Sequence, residues 1–311
     1  MTVTILFAAG GAESCNAYAD PLRTALKDAG IEHHLVTESA PEAVDYIIYA
    51  PGGPLRDFTP FTRCKAVLSL WAGVERIVGN PTLTQPLCRM VDTALEQGMV
   101  EYVTGHVLRH HLGMDRFINT PCSGWAADVP PLATERPVAM LGLGALGQAC
   151  ARALGQLGFP VLGWSRGPRS LPSIACHHGT EGLHDCLRQA QIVVTLLPLT
   201  PQTENLIDAA ALACLPRGAV LINPGRGALI DDTALLAALE GGHLAHATLD
   251  VFRTEPLPED HPFRTHPRVT VTPHIAAATR PDTAARVIAD NIRRGEAGEP
   301  FAHLVERARG Y

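Results

Sequence analysis

One stretch of the chain, PVAMLGLGALGQACARALGQLGFPVLGWSR from Pro137 to Arg166, restricts what it can fold into more than any other. Val138–Leu141 is a short apolar run of strand length. Gly142-Leu143-Gly144-Ala145-Leu146-Gly147 follows as a G-x-G-x-x-G turn, and a helix-length run and a second strand, Val161–Trp164, complete the unit. In that setting the three glycines have separate tasks: a tight turn, room for a pyrophosphate near the backbone, and close packing of helix on strand. The start of the helix offers unpaired N–H groups and the positive end of its dipole to phosphates. Alone, such a turn also suits a tightly packed corner with no ligand. Flanked by strand and helix in this order, it predicts a dinucleotide site.

A chain of 311 residues suggests about two domains. With 46% apolar and 18% charged residues, the composition is that of an ordinary globular protein. A net charge of −6 without any Lys/Arg run argues against nucleic acid as a partner. An anionic substrate must then be met by a few placed arginines. The eight cysteines (15, 64, 88, 122, 150, 176, 186, 214) stand singly, which fits reduced thiols in the cytosol better than disulfides or a zinc site. The start, MTVTILFAAGG, has no basic region of a signal peptide, and no segment approaches the roughly 20 apolar residues of a membrane span. A soluble, cytoplasmic protein is expected, with no membrane partner.

Residues 1–98 read as a smaller α/β domain, with strand-like runs at Val3–Phe7, Tyr46–Tyr49 and Ala66–Leu70 and a helix-like stretch at Pro21–Ala29. Glycine-bearing turns follow the strands, the last being Trp71-Ala72-Gly73-Val74. Met99–Gly113 is helix-like and opens the second domain. His106 and His110 lie one turn apart on it, without an H-E-x-x-H motif or completing carboxylates. Exposed or interface histidines are expected there, and no metal. Pro121–Pro137 reads as a proline-rich loop. Beyond the glycine turn, apolar runs at Ile192–Leu197, Ala219–Asn223, Ala247–Asp250 and Val269–Thr272 bring the strands to six, the number of a doubly wound dinucleotide domain. Thr283–Gly295 is helix-like.

In an open parallel sheet the strand C-termini share one edge, so the loops after these strands converge on one crevice. Three consecutive loops each carry a residue of catalytic type: Arg226, Glu255 and His274. An arginine fork matches a carboxylate and can polarise a neighbouring carbonyl. A histidine can protonate a carbonyl oxygen near neutral pH. A glutamate can orient the imidazole and favour its charged form. Each has a plainer reading alone, as a structural arginine, a surface glutamate and a capping histidine; together, beside a dinucleotide turn, they suit hydride transfer. The cofactor is expected against Gly142 to Gly147 and against Leu197, Pro198, Thr203, Asn223, Pro224, Gly225, Asp250, His274, Ala276 and Ala277 on the same edge. At the end of the second strand, roughly 20 positions into the motif, NAD enzymes usually carry an acid for the ribose 2′-hydroxyl. This chain has Ser165 and Arg166 there, with Arg169 close by, which suits a 2′-phosphate. NADPH is therefore expected as the preferred cofactor, with NAD bound more weakly.

The stretches LGLGALGQ, LLPLTPQT, INPGRGALIDDTALLAALEGGHLAHATLDVF with EPLP after it, and TPHIAAATRP resemble the D-isomer-specific 2-hydroxyacid dehydrogenases. WSR, WAGVE and the terminal RARGY are similar to the glyoxylate/hydroxypyruvate reductase A type of that family. The resemblance implies two Rossmann-like domains: a doubly wound dinucleotide-binding domain over 99–283 and a flavodoxin-like substrate domain split into 1–98 and 284–311. It implies that Arg226 binds the substrate carboxylate and carbonyl, that His274 is the acid/base, and that Glu255 is its partner. The backbone of Ala72, Gly73 and Val74 would cradle the substrate carboxylate, and Asp250 would order the site's edge or contact the nicotinamide side. A homodimer is implied, interlocked by the helix after Met99. The glycine-rich loop Tyr49–Pro54, with Pro51 to Pro54 at its tip, lacks the bulky residue expected there, which leaves room for a larger 2-oxo acid. The expected activity is NADPH-dependent reduction of glyoxylate or hydroxypyruvate. The rivals are an NAD-linked dehydrogenase of another hydroxy acid and a non-catalytic dinucleotide-sensing protein.

Overall fold

The computed structural model of the chain describes residues 2–118 and 129–310, so the first part of the loop expected at Pro121–Pro137, with Cys122 and Tyr311, lies outside the described residues. The chain divides into two units: residues up to Leu95 with those from Ala278 onward, and Glu96–Ala277.

In the first unit β1 (Val3–Ala8), β2 (His33–Val36), β3 (Tyr46–Tyr49), β4 (Ala66–Ser69) and β5 (Leu87–Cys88) form a parallel sheet in the order β2-β1-β3-β4-β5, the flavodoxin-like order. Along β1, Val3, Ile5 and Phe7 enter one core while Leu6 and Ala8 enter the other. Strands buried on both faces read as continuous apolar runs, which makes them visible in sequence. The edge strand β2, HHLV, is only partly buried, and β5 has two residues; neither offers such a run. Helix α1 (Ala12–Asp28) starts well before Pro21, which lies inside it. An interior proline costs about 3 kcal/mol. Full burial of Leu22 and Leu26 offsets this at about 1.5–3 kcal/mol each. The C-terminal helix, Pro281–Ala297, packs Ala284, Ala285, Ile288, Ala289 and Ile292 into the same core.

The second unit opens with α2 (Thr93–His111, its first residues shared with the first unit) and the single turn α3 (Asp115–Ile118). Seven parallel strands follow, not six: β6 (Val138–Leu141), β7 (Val161–Ser165), β8 (Ala175–His178), β9 (Ile192–Thr195), β10 (Ala219–Asn223), β11 (Leu244–Leu249) and β12 (Val269–Val271). Their order is β12-β11-β10-β9-β6-β7-β8, the doubly wound dinucleotide-binding order with one strand added. The strand that sequence patterning misses is β8, ACHH, a polar, largely exposed edge. Helices α4 (Ala145–Gln156), α5 (Gly179–Gln189), α6 (Ala209–Cys214) and α7 (Asp232–Glu240) connect the strands. Ala139, Leu141, Val193 and Leu221 fill one core, and Val138, Met140, Ile192, Val194 and Ile222 fill the other. Pairing of Leu141 with Trp164 and Thr195, and of Leu249 with Asn223 and Val271, aligns the C-terminal ends of these strands along one edge. No described helix is long and apolar enough to cross a membrane.

Candidate active site

The glycine turn after β6 is dictated by the protein at two positions and by nothing in it at the third. Gly142 has φ +113°, and a Cβ there would lie 2.4 Å from the Leu196 carbonyl oxygen. At Gly147 a Cβ would lie 1.8 Å from the Gly142 oxygen, where α4 presses on the turn. At Gly144, the N-cap of α4, a Cβ would meet no protein atom within 4 Å, and no side chain caps the helix. Uncapped N–H groups beside an open glycine fit a pyrophosphate.

β7 ends in Ser165, a buried residue whose hydroxyl donates to the Gly167 carbonyl at 2.9 Å. Arg166 and Arg169 follow as exposed side chains, and no carboxylate occurs from Ser165 to Ile174. Two guanidinium groups with no carboxylate beside them are the kind of donors that suit a phosphate. After β9, Thr203 closes the Leu197–Thr203 loop by donating to the Pro198 carbonyl at 2.7 Å.

The catalytic-type residues follow three neighbouring strands, Arg226 after β10, Glu255 after β11 and His274 after β12. His274 Nδ1 is 2.8 Å from Glu255 Oε2. The other carboxylate oxygen, Oε1, accepts the Phe252 N–H at 2.9 Å, so the glutamate is held on both sides. His274 is partly exposed, and Glu255 is the less exposed of the two. With Nδ1 engaged, Nε2 is the nitrogen left for a reacting group. Arg226 is half-buried, and its Nη1 donates to the Gly225 carbonyl at 2.7 Å. Its loop is clamped by backbone: a Cβ on Gly225 would lie 2.7 Å from the Thr195 oxygen, and one on Gly227 2.1 Å from the Phe252 carbonyl carbon.

Two buried polar residues order these loops. Asn223 accepts from Thr195 Oγ1 at 2.6 Å and from the Gly225 N–H at 3.1 Å, and its amide donates to the Arg226 carbonyl at 2.9 Å. Asp250, fully buried, accepts from Thr272 Oγ1 at 2.6 Å and from the N–H groups of Ile275 and Ala276 at 2.9 Å each. Ala276 is buried and Ala277 partly so. Thr195 and Thr272 are absent from the residues singled out in sequence, although a polar residue ending an apolar strand was there to be seen.

In the first unit Ser69 shapes the turn after β4, accepting the Trp71 N–H at 3.0 Å and donating to the Trp71 carbonyl at 3.2 Å. Ala72 and Gly73 are half-buried and Val74 is buried. A Cβ on Gly53 would lie 2.0 Å from the Ala8 oxygen, so the Pro51 to Pro54 loop is drawn against the end of β1. His106 and His110, expected to be exposed or at an interface, are half-buried and pack on the unit's own side chains. His110 Nε2 lies 2.9 Å from Thr248 Oγ1, its ring stands 5.0 Å from that of His246, and the His106 ring stands 4.4 Å from Tyr102. Burial, then the neighbouring His246, pushes His110 down to about 3, while burial followed by Arg109 pushes His246 down to about 4. The helix patterning misleads because β11 is polar on the face that α2 covers.

The family description "D-isomer specific 2-hydroxyacid dehydrogenase, NAD binding domain" matches residues 106–276. A glyoxylate/hydroxypyruvate reductase A of Serratia proteamaculans is 41% identical over 257 residues, 80% of this chain and 82% of that protein. Its counterpart from Yersinia enterocolitica is 39% identical over 255 residues, 79% of this chain and 82% of its own length. Among solved structures, a D-isomer specific 2-hydroxyacid dehydrogenase of Xanthobacter autotrophicus, in complex with NADPH and MES, superposes with a TM-score of 0.92 at 40% identity over 100% of both chains. An NADPH-dependent glyoxylate/hydroxypyruvate reductase of Sinorhizobium meliloti, in complex with NADP and sulfate, gives 0.83 at 32% identity, covering 100% of this chain and 99% of its own.

Proposed function

This chain belongs to the D-isomer specific 2-hydroxyacid dehydrogenase family, and from that premise we propose that it reduces small 2-oxo acids with NADPH. Glyoxylate, giving glycolate, and hydroxypyruvate, giving D-glycerate, are the substrates proposed first. The observation that carries this reading is the His274–Glu255 pair at 2.8 Å, one loop along the sheet edge from Arg226.

Bound NADPH supplies a hydride to the carbonyl carbon. His274 holds a proton on Nε2 for the carbonyl oxygen, so reduction consumes one hydride and one proton and yields the hydroxyl. Glu255 accepts from Nδ1 and orients the ring. Arg226 pairs with the substrate carboxylate and draws electron density from the carbonyl. The backbone of Ala72, Gly73 and Val74 is proposed as a second carboxylate cradle. Ser165, Arg166 and Arg169 select the 2′-phosphate. Exposed apolar side chains at Phe117, Ile118, Val129 and Leu132 support a homodimer, with a cytoplasmic location part of the same proposal.

The test is cofactor oxidation by the purified protein with NADPH and NADH in parallel, against glyoxylate, hydroxypyruvate, pyruvate and a bulky 2-oxo acid. Turnover of the two small acids with NADPH preferred is the expected result. Reaction of the bulky acid alone would overturn the substrate and point to the Pro51 to Pro54 loop. No turnover despite cofactor binding would favour a sensing role.

A further inference from the structure

Half-buried Tyr102 stands at one end of a hydrogen-bond chain whose other end is the fully buried Asp250. Its hydroxyl lies 2.7 Å from Thr272 Oγ1, which lies 2.6 Å from Asp250 Oδ1. The carboxylate also accepts the N–H groups of Ile275 and Ala276, at 2.9 Å each. Thr272 Oγ1 donates to Asp250, and a threonine hydroxyl has one proton to give. That proton is committed to Asp250, so Tyr102 is the donor to Thr272. Burial pushes the Tyr102 phenol up to about 12, which keeps its proton in place at any working pH. The chain thus runs one way, from phenol to hydroxyl to carboxylate, and ends on the two backbone amides directly after His274.

Those amides border a residue that needs holding. His274 has φ +54°, a left-handed conformation that non-glycine residues adopt only when their surroundings impose it. Its own N–H donates to the carbonyls of Asp250 and Thr272, at 2.9 and 3.0 Å. Asp250 and Thr272 therefore grip the backbone on both sides of the imidazole, and Tyr102 fixes the hydroxyl of Thr272.

We propose that Tyr102 is a positioning residue for the His274 acid/base, acting through the Thr272 hydroxyl on the Asp250 carboxylate. This rests on the reading of His274 given above. In the assay with NADPH and glyoxylate, Tyr102→Phe should lower kcat by about 3–10-fold and Thr272→Val by about 10–100-fold. The KM for glyoxylate should change less than about twofold in both. Thr272→Ser keeps the hydroxyl and should keep wild-type kcat. Because Tyr102 acts only through that hydroxyl, the Tyr102→Phe/Thr272→Val double variant should be no slower than Thr272→Val alone. Hydrogen exchange followed by mass spectrometry should show the amides of Ile275 and Ala276 exchanging about tenfold faster in Thr272→Val, and detectably faster in Tyr102→Phe. Losses that multiply in the double variant, or a Tyr102→Phe protein with wild-type kcat and exchange, would overturn the proposal. Should Thr272→Val fail to fold, Tyr102→Phe, which keeps the ring, decides alone. If the wild type turns over none of the acids, the functional reading fails while the exchange comparison still tests Tyr102.

Discussion

A methyl group at Gly227 tests how the Arg226 and Glu255 loops are held together. In Gly227→Ala the new Cβ would lie 2.1 Å from the Phe252 carbonyl carbon and 2.5 Å from both the Arg253 nitrogen and the Phe252 Cα. All three are backbone atoms, so no rotamer relieves the clash, and reaching ordinary contact at 3.4 Å requires the loops to part by about 1 Å or more. The displaced segment is the one whose Phe252 N–H holds Glu255, and Glu255 holds His274. The movement therefore passes straight into the His274–Glu255 pair and away from Arg226. A misplacement of about 1 Å costs a reaction on the order of 100-fold. The overpacking itself costs about 1–3 kcal/mol, within the roughly 5–15 kcal/mol of a typical fold. The expected result is a folded protein with kcat/KM for glyoxylate down by about 100-fold. NADPH affinity, measured by fluorescence titration, should stay within a few-fold, because the glycine turn follows a different strand. A Gly227→Ala protein with wild-type kcat/KM and unchanged melting would refute the clamp.

His274→Ala and Arg226→Ala should retain fold and NADPH binding while losing about 100-fold or more in turnover; unchanged turnover would refute the roles. Gly144→Ala should leave the melting temperature alone and weaken NADPH binding, whereas Gly147→Ala, whose Cβ would sit 1.8 Å from the Gly142 oxygen, should fail in a melting scan before binding can be asked about. Replacing Arg166 and Arg169 by alanine should raise the KM for NADPH by about 10–100-fold, leave that for NADH unchanged, and flatten the salt dependence. His110 and His246 are held down to about 3 and about 4 in the folded protein, below the ordinary histidine value. The unfolded chain then binds more protons as the pH falls from about 6.5, so the stability these neutral rings contribute is complete above that value. It is lost below it, by on the order of 1 kcal/mol per histidine per pH unit. Melting temperatures from pH 7.5 to 4.5 should fall steeply, and His246→Gln should flatten the fall.

What could be read from the sequence followed burial. Strands with both faces covered, such as Val138–Leu141 and Ala219–Asn223 up to its last residue, are apolar runs and stand out. The edge strands His33–Val36 and Ala175–His178 carry polar residues because one side meets solvent, and they look like loops. Pro21 resembles a helix start because proline favours the first turn, but the buried faces of Leu22 and Leu26 outweigh that local preference. His110 looks like a surface residue because its partners Thr248 and His246 come from β11, and no spacing rule within a helix shows that this strand is polar beneath it; His106 stacks on Tyr102, one turn earlier on its own helix. The loops that carry Arg226, Glu255 and His274 were legible for the opposite reason: an open parallel sheet sends each strand's C-terminus to the same edge, so chain order alone put the three residues after neighbouring strands.

The supporting residues could have been found by asking where apolar strands end. IVVT and AVLIN each finish on a residue at most 1% exposed yet polar, Thr195 and Asn223, and the fully buried Asp250 directly follows Leu249 at the end of β11. Burying such groups is costly unless every donor and acceptor is matched, and an apolar replacement would cost less wherever the position only filled space. Their matching is to loop backbone, Gly225 and Arg226 for Asn223, Ile275 and Ala276 for Asp250, with Thr195 bonded to Asn223 itself. The hydrogen bonds that meet the cost of burial are therefore the same ones that shape the Arg226 and His274 loops. Rigid strands can supply this precision where the loops themselves cannot, since a strand end is fixed by the sheet and a loop only by what grips it. A polar residue closing an otherwise apolar parallel strand is, on this argument, a marker of the loop that follows it, and it is detectable without any likeness to a known protein.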